Sequence, residues 1–184
     1  MYPRSCVAAV IICDGCLLVV KKRDAKGIVY SFPTGGQEAG ETLVQAVQRE
    51  ALEEVGCEIV VGPLLWVREY IGKHHENADL EGNVHVVCHL FHCTLNEFPE
   101  TFQGKAPDPD QEGVEWLPLQ QLASCRFYPQ ALVSSLMELE RVQEGCSSGA
   151  TPLGILPDRF RGISQPPDHQ TNHRQTHHTF AAAC

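Results

Sequence analysis

The chain has 184 residues, 43% of them hydrophobic, and a formal net charge of −9. That length suits one domain with a buried core, and such acidity excludes a general nucleic-acid coat, which would be basic. No run approaches the roughly 20 apolar residues of a membrane-spanning helix, whereas a nucleotide ligand stays open because bound metal ions bridge carboxylates to phosphates.

Residues 6–13 and 16–22 are two β-rich runs joined by Asp14-Gly15, a strong hairpin signal between apolar runs. The first run is too short and interrupted for a leader peptide. Nine cysteines are scattered and odd in number. Cys6, Cys13, Cys88 and Cys93 lie in apolar runs, so they read as small buried hydrophobes rather than a disulfide framework. A reducing, cytoplasmic setting is the expectation. Residues 29–33 read as a short strand leading into a turn at Pro33-Thr34-Gly35-Gly36, whose glycines let backbone approach a ligand.

Residues 42–55 read as a helix. Thr42 is the N-cap with Gln45 as its capping-box partner, and Gly56 is a left-handed stop. Leu43, Val47, Ala51 and Val55 form the apolar stripe, with Val44 beside it. Glu50, Glu53 and Glu54 should project elsewhere, at spacings of three and four, with only Arg49 adjacent. Like charges at that spacing cost a helix roughly 0.2–0.5 kcal/mol per pair. Such a cluster suits hard divalent cations, which prefer carboxylate oxygens.

Residues 58–71 should form one or two strands, broken at Gly62-Pro63. Residues 73–82 read as a polar loop. Residues 83–95 read as a strand with His85, Val87, His89 and Phe91 on one face and Val86, Cys88, Leu90 and His92 on the other. A Pro- and Asp-rich loop spans 104–113, a short strand 114–118, and a helix 129–142 with Pro129 in its first turn. From Glu144 onward Pro, Gly, Ser, Thr, Gln and His dominate, and residues 144–184 are expected to be a low-complexity, disordered tail. The acids and arginines of that tail balance three against three, so the net charge belongs to the folded part. His85 and His89 would stand roughly 13 Å apart along a strand, too far to share one metal. Cys13 and Cys16 have knuckle spacing without a second pair. His74-His75 sit in a loop, where a substrate contact stays open, and the tail histidines His169, His173, His177 and His178 read as solvated unless they take adventitious metal.

The segment 35–57 resembles the signature of the Nudix hydrolase family. That pattern is Gly, five residues, Glu, seven residues, Arg-Glu, an aliphatic residue, any residue, Glu-Glu, any residue, Gly and an aliphatic residue. It falls here on Gly35, Glu41, Arg49, Glu50, Ala51, Glu53, Glu54, Gly56 and Cys57. Ala51 and Cys57 are smaller or softer than the usual aliphatic residues. The resemblance covers about residues 5–143 and rests, outside the signature, on element order and on Glu-Trp-Leu-Pro at 115–118. It implies an α/β fold of the α+β type, with a mixed β-sheet sandwiched between helices and the signature helix at the active cleft.

The family resemblance further implies a hydrolase dependent on Mg2+ or Mn2+ that cleaves the diphosphate linkage of a nucleoside diphosphate derivative. A nucleotide sugar such as ADP-ribose, a nucleoside triphosphate, a dinucleoside polyphosphate and a capped RNA end all stay open. Glu50, Glu53 and Glu54 would hold the metal, with Glu50 and Glu54 as inner ligands and the Gly36 carbonyl as an extra one. Glu53 is a ligand or the base that deprotonates water. Arg49 would pair with a glutamate and fix its rotamer, or else touch phosphate. Gly35 and Gly36 would lie near the phosphates, Glu41 would orient the helix or add charge, and Arg23 is a candidate phosphate contact. Asp108, Asp110 and Glu112 are candidates for one more acid from a later loop. The alternative is a non-catalytic nucleotide-binding module, which would have lost these glutamates. A homodimer is left open, and no membrane partner is expected.

Overall fold

A computed structural model describes residues 2–74 and 82–146 of the chain. The expectations for His75 and for the tail beyond residue 146 lie outside the described residues.

The first strand, β1, spans Arg4–Val10, and the hairpin follows as β2 (Ile12–Cys13) and β3 (Cys16–Asp24). Asp14 has φ 46° and Gly15 φ 74°, the left-handed pair that a tight two-residue hairpin turn requires. The strand expected over 29–33 begins earlier and stops sooner, as β4 (Gly27–Ser31). The expected glycine turn is itself a short strand, β5 (Thr34–Gly36). Its backbone pairs antiparallel with β1, Gly35 opposite Val7 and Gly36 opposite Cys6. Backbone groups on the β1 edge thus capture a segment whose residue types favour turns.

Helix α1 runs over Leu43–Glu54. The Gln45 N–H donates to Thr42 Oγ1 at 3.2 Å and the Thr42 N–H donates to Gln45 Oε1 at 2.8 Å, the expected reciprocal cap. Gly56 ends the helix at φ 81°. Val47, Ala51 and Val55 are fully buried as read, but Ala46 completes the stripe and Val44 is 44% exposed. Glu54 is buried as well, because it follows Val47 by seven residues and Ala51 by three and so lies on the same helix face.

Strand β6 (Ile59–Ile71) is continuous. Gly62-Pro63 does not break it; the pairing shifts register between Val61 and Leu64 and again before Trp66. Proline is tolerated there because β6 is an edge strand and the pairing is already irregular. Strand β7 (His85–Leu95) buries Val86, Cys88 and Leu90 of one face, together with Phe91 of the other. Strand β8 (Gln111–Pro118) starts three residues before the expected one, and Gln111 pairs with Lys22. The last elements are β9 (Phe127–Tyr128) and α2 (Val133–Cys146). Pro129 follows a cis bond and precedes a short 3-10 turn, Gln130–Leu132, so α2 begins later than read.

The strands form two mixed sheets. One has the order β5-β1-β7-β6, with β1 and β7 parallel; the other has β2-β3-β4-β9, with β8 also on β3. Strand β1 is buried on both faces. Cys6, Ala8 and Val10 pack with Leu90, Phe127 and Leu136 of α2, while Val7, Ala9 and Ile11 pack with Ala46, Val47 and Ala51 of α1. A central layer therefore lies between the two helices, as expected for the fold class. Each fully buried Val, Leu or Phe contributes about 1.5–3 kcal/mol, which fixes α1 against β1 and β5.

Candidate active site

The last carbonyls of α1 have no partners within the helix. The loop before β8 supplies them: the Lys105 N–H reaches Leu52 O at 3.2 Å, the Ala106 N–H reaches Glu53 O at 3.0 Å, and Gln111 Nε2 donates to Glu54 O at 2.7 Å. Gly104 lies so close that an added Cβ would meet Glu53 O at 2.3 Å. The Asp-rich loop is thereby pinned to the end of α1, beside its glutamates.

Arg49 gathers the other end of the site. Nη1 donates to Glu50 Oε1 at 2.7 Å and to Glu53 Oε2 at 3.1 Å. Nη2 donates to Glu41 Oε1 at 2.7 Å and to the Gly36 carbonyl at 2.8 Å. Nε adds a second bond to Glu41. Bidentate guanidinium pairs of this kind are the strong ones. Hydrogen bonding to Glu41 raises the Arg49 pKa above its ordinary value, and hydrogen bonding to Arg49 lowers that of Glu41. Glu41 precedes the N-cap and also accepts the Glu38 N–H at 2.6 Å; it tethers the loop to Arg49 rather than sitting in the first helical turn.

The Glu50 carboxylate lies against Gly35. A Cβ added to Gly35 would fall 2.0 Å from Glu50 Cδ and 2.1–2.2 Å from both its oxygens. Glycine is needed there for space, and among the described residues nothing lies within 4 Å of the equivalent position at Gly36. Burial raises the Glu50 pKa, against the pull of Arg49.

Glu54 faces another way. Its Oε2 accepts the Thr34 N–H at 2.7 Å. Its Oε1 lies 3.1 Å from Lys22 Nζ, off hydrogen-bond alignment, and this buried oxygen has no hydrogen bond among the described residues. Burial pushes the Glu54 carboxyl up to about 7, while Lys22 and the Thr34 N–H draw it down. Lys22 is itself 2% exposed and donates to Asp108 Oδ2 at 2.8 Å. Burial opposes its charge, but Glu54 and Asp108 outweigh that and hold its pKa above the usual lysine value.

The three helix glutamates thus divide. Glu50 and Glu53 share Arg49, whereas Glu54 belongs to Lys22 and β5. Of the three loop acids, Asp108 joins the site through Lys22. Asp110 offers its backbone carbonyl to the Arg23 N–H, and Glu112 pairs with the Arg23 side chain. Arg23, 58% exposed, is held by that pair. His85 pairs with Glu69 at 2.8 Å, and His89 Nδ1 lies 3.2 Å from Cys6 O. Cys13 and Cys16 face each other across the hairpin as thiols, with no disulfide between them. Lys22 is the site residue that motif spacing does not reveal. Its signal is the alternation Leu18, Val20, Lys22, which puts a charge on a buried strand face.

The NUDIX domain model matches residues 2–134, which is most of the chain. The chain belongs to the Nudix family. Among curated relatives, the nucleoside triphosphatase NudI of Salmonella schwarzengrund is 33% identical over 67 residues, 35% of this chain and 48% of that protein. The chain thus matches about half the length of such relatives. A NUDIX hydrolase from Nitrosomonas europaea superposes with a TM-score of 0.62 at 22% identity, over 77% of this chain and 90% of that one. A bifunctional NMN adenylyltransferase/ADP ribose pyrophosphatase from Francisella tularensis, solved with AMP and a Mn ion, gives 0.55 at 19% identity, over 76% of this chain and 42% of that one. Among the described residues, no helix is long and apolar enough to cross a membrane.

Among the described residues no three acids, histidines or cysteines stand together as a metal cage; it is the chemistry of the Nudix donors that suits a hard divalent cation. These donors are all oxygens, from Glu50, Glu53, Glu54, Asp108 and the Gly36 carbonyl. Glu50, Glu53 and Gly36 already converge on a cationic group, Arg49, and Glu54 Oε1 is a buried acceptor without a hydrogen bond among the described residues.

Proposed function

We propose that residues 5–143 form a Nudix pyrophosphohydrolase that cleaves the diphosphate linkage of a nucleoside diphosphate derivative with Mg2+ or Mn2+ bound. The single observation carrying this reading is the convergence of Glu50, Glu53 and the Gly36 carbonyl on one cationic centre over Gly35. Glu50, Glu53, Glu54 and the Gly36 carbonyl would hold the metal, which when bound neutralises phosphate charge and lowers the pKa of water.

The chain's own residues carry the rest. Glu53 is the most accessible of the three glutamates, its side chain 37% exposed against 12% for Glu50 and 3% for Glu54. Water reaches it most readily, so Glu53 accepts the proton at a carboxylate oxygen as attack on phosphorus proceeds. Arg49 fixes the rotamers of Glu41, Glu50 and Glu53 together, and it is a positioning group more than a phosphate contact because all its nitrogens have protein partners. Gly35 leaves room for Glu50 and brings β5 backbone to the phosphates.

The similarity to the nucleoside triphosphatase NudI and to a bifunctional enzyme with ADP ribose pyrophosphatase activity favours two substrate classes, nucleoside triphosphates and nucleotide sugars. The test is a panel of both with Mg2+, with products identified as nucleoside monophosphate plus pyrophosphate or plus a phosphorylated sugar. Turnover that Glu53→Gln lowers by about 10²-fold or more supports the reading. Inactivity of the native chain across the panel favours a nucleotide-binding module instead.

A further inference from the structure

We propose that Lys22 is a built-in counter-ion: its ammonium occupies Glu54 Oε1 until a divalent cation displaces it, and so sets how tightly the site holds that cation. The inference rests on the metal-dependent reading above and concerns which of this chain's own groups compete with the metal.

Lys22 and Glu54 are each only 2% exposed. A buried carboxylate needs compensation, since removing one partner of such a pair leaves an uncompensated charge. The compensation is unequal. Lys22 makes an aligned hydrogen bond to Asp108 at 2.8 Å, but its approach to Glu54 Oε1, at 3.1 Å, is not aligned as one. Asp108 is half exposed on its side chain, while Glu54 is enclosed.

Glu54 Oε2 is anchored by the Thr34 N–H at 2.7 Å, so the carboxylate keeps its aim while Oε1 changes partner. When a cation takes Oε1, Lys22 keeps its hydrogen bond to Asp108, so its charge retains a partner. A lysine suits such an exchange, being a compact charge on a flexible stem, whereas a guanidinium locks into a planar fork. Arg49 shows the contrast within one site, with five hydrogen bonds to four partners. A purely structural ion pair makes the opposite prediction for metal affinity, since its loss would disorder Glu54 and weaken binding.

The experiment titrates the full chain with Mn2+ alone, without nucleotide, and follows free Mn2+ by electron paramagnetic resonance. The native chain is compared with Lys22→Met, Lys22→Arg and Glu50→Gln. Lys22→Met, which keeps the stem and removes the charge, is expected to bind Mn2+ about tenfold more tightly. Lys22→Arg is expected to bind no more tightly than the native chain, and Glu50→Gln to bind more weakly. If Lys22→Met is unfolded without metal, added Mn2+ is expected to restore its native circular dichroism, because the ion replaces the missing charge. Mn2+ affinity unchanged or weakened in Lys22→Met, or failure of Mn2+ to refold it, overturns the role of Lys22 while the Glu50→Gln result still supports the metal site. Absence of Mn2+ binding by the native chain overturns the metal-dependent reading and this inference with it.

Discussion

Replacing Gly35 with alanine tests the site at one carbon atom. Gly35 does not need positive φ, so its backbone accepts alanine. The new Cβ would fall 2.0 Å from Glu50 Cδ, well inside contact distance, and Glu50 has to move because it is the flexible partner. It then leaves the 2.7 Å bond to Arg49, which costs about 1–2 kcal/mol and lowers Tm by a few degrees for a chain of this size. The effect on turnover is larger, since misplacing an active-site group by about 1 Å costs roughly 10²-fold. Gly36→Ala is the matched control. Its Cβ meets nothing within 4 Å among the described residues, and its carbonyl still accepts from Arg49. Thermal melts and Mg2+-dependent turnover on the best panel substrate read both effects. Equal losses in the two variants, or an unimpaired Gly35→Ala, would show that Glu50 is not held against Gly35 in the working site.

Other substitutions check the scaffold. Gly56→Ala combines φ 81° with a Cβ 2.0 Å from the Gln103 carbonyl oxygen; the strained backbone and the rigid contact together should cost about 2–5 kcal/mol by chemical denaturation, and a loss under about 1 kcal/mol would speak against the packing of that loop on α1. Asp24 and Arg126 give a pH test. Burial would raise the Asp24 pKa, but the Arg126 hydrogen bonds outweigh it and leave it below the ordinary value. The pair therefore stabilises the fold above the ordinary aspartate range and loses its contribution as the pH falls through the lowered value. Both side chains are about two-fifths exposed, so Arg126→Gln should cost no more than about 1 kcal/mol at pH 7, and the difference should shrink in melts taken progressively below the ordinary aspartate range.

What the sequence disclosed was mostly local. The Thr42–Gln45 cap, the Asp14-Gly15 turn and the Gly56 stop depend on residues a few positions apart, and each is present. The pairing of Arg49 with glutamates follows from helix spacing, although its reach back to Glu41 and Gly36 depends on how the loop folds over α1. Contacts between distant segments were not legible. Nothing local says that Thr34–Gly36 would pair with β1, or that Lys22, 32 residues before Glu54 in the chain, would neutralise it. The burial of Glu54 was readable in principle, from its place on the Val47–Ala51 stripe. The chemistry of the Glu-Glu pair points to a cluster away from that stripe, and the partner lysine on β3 explains how a carboxylate tolerates the buried face.

If the carboxylates of α1 work through a divalent ion, turnover must follow Mg2+. The native chain should hydrolyse its best substrate only with Mg2+ present, stop on chelation, and recover on readdition. The Glu53→Gln, Glu54→Gln double variant should stay folded by circular dichroism and lose at least about 10³-fold in rate at every Mg2+ concentration. Hydrolysis that persists in chelator, or that survives in the folded double variant, would mean that these glutamates do not act through a bound cation.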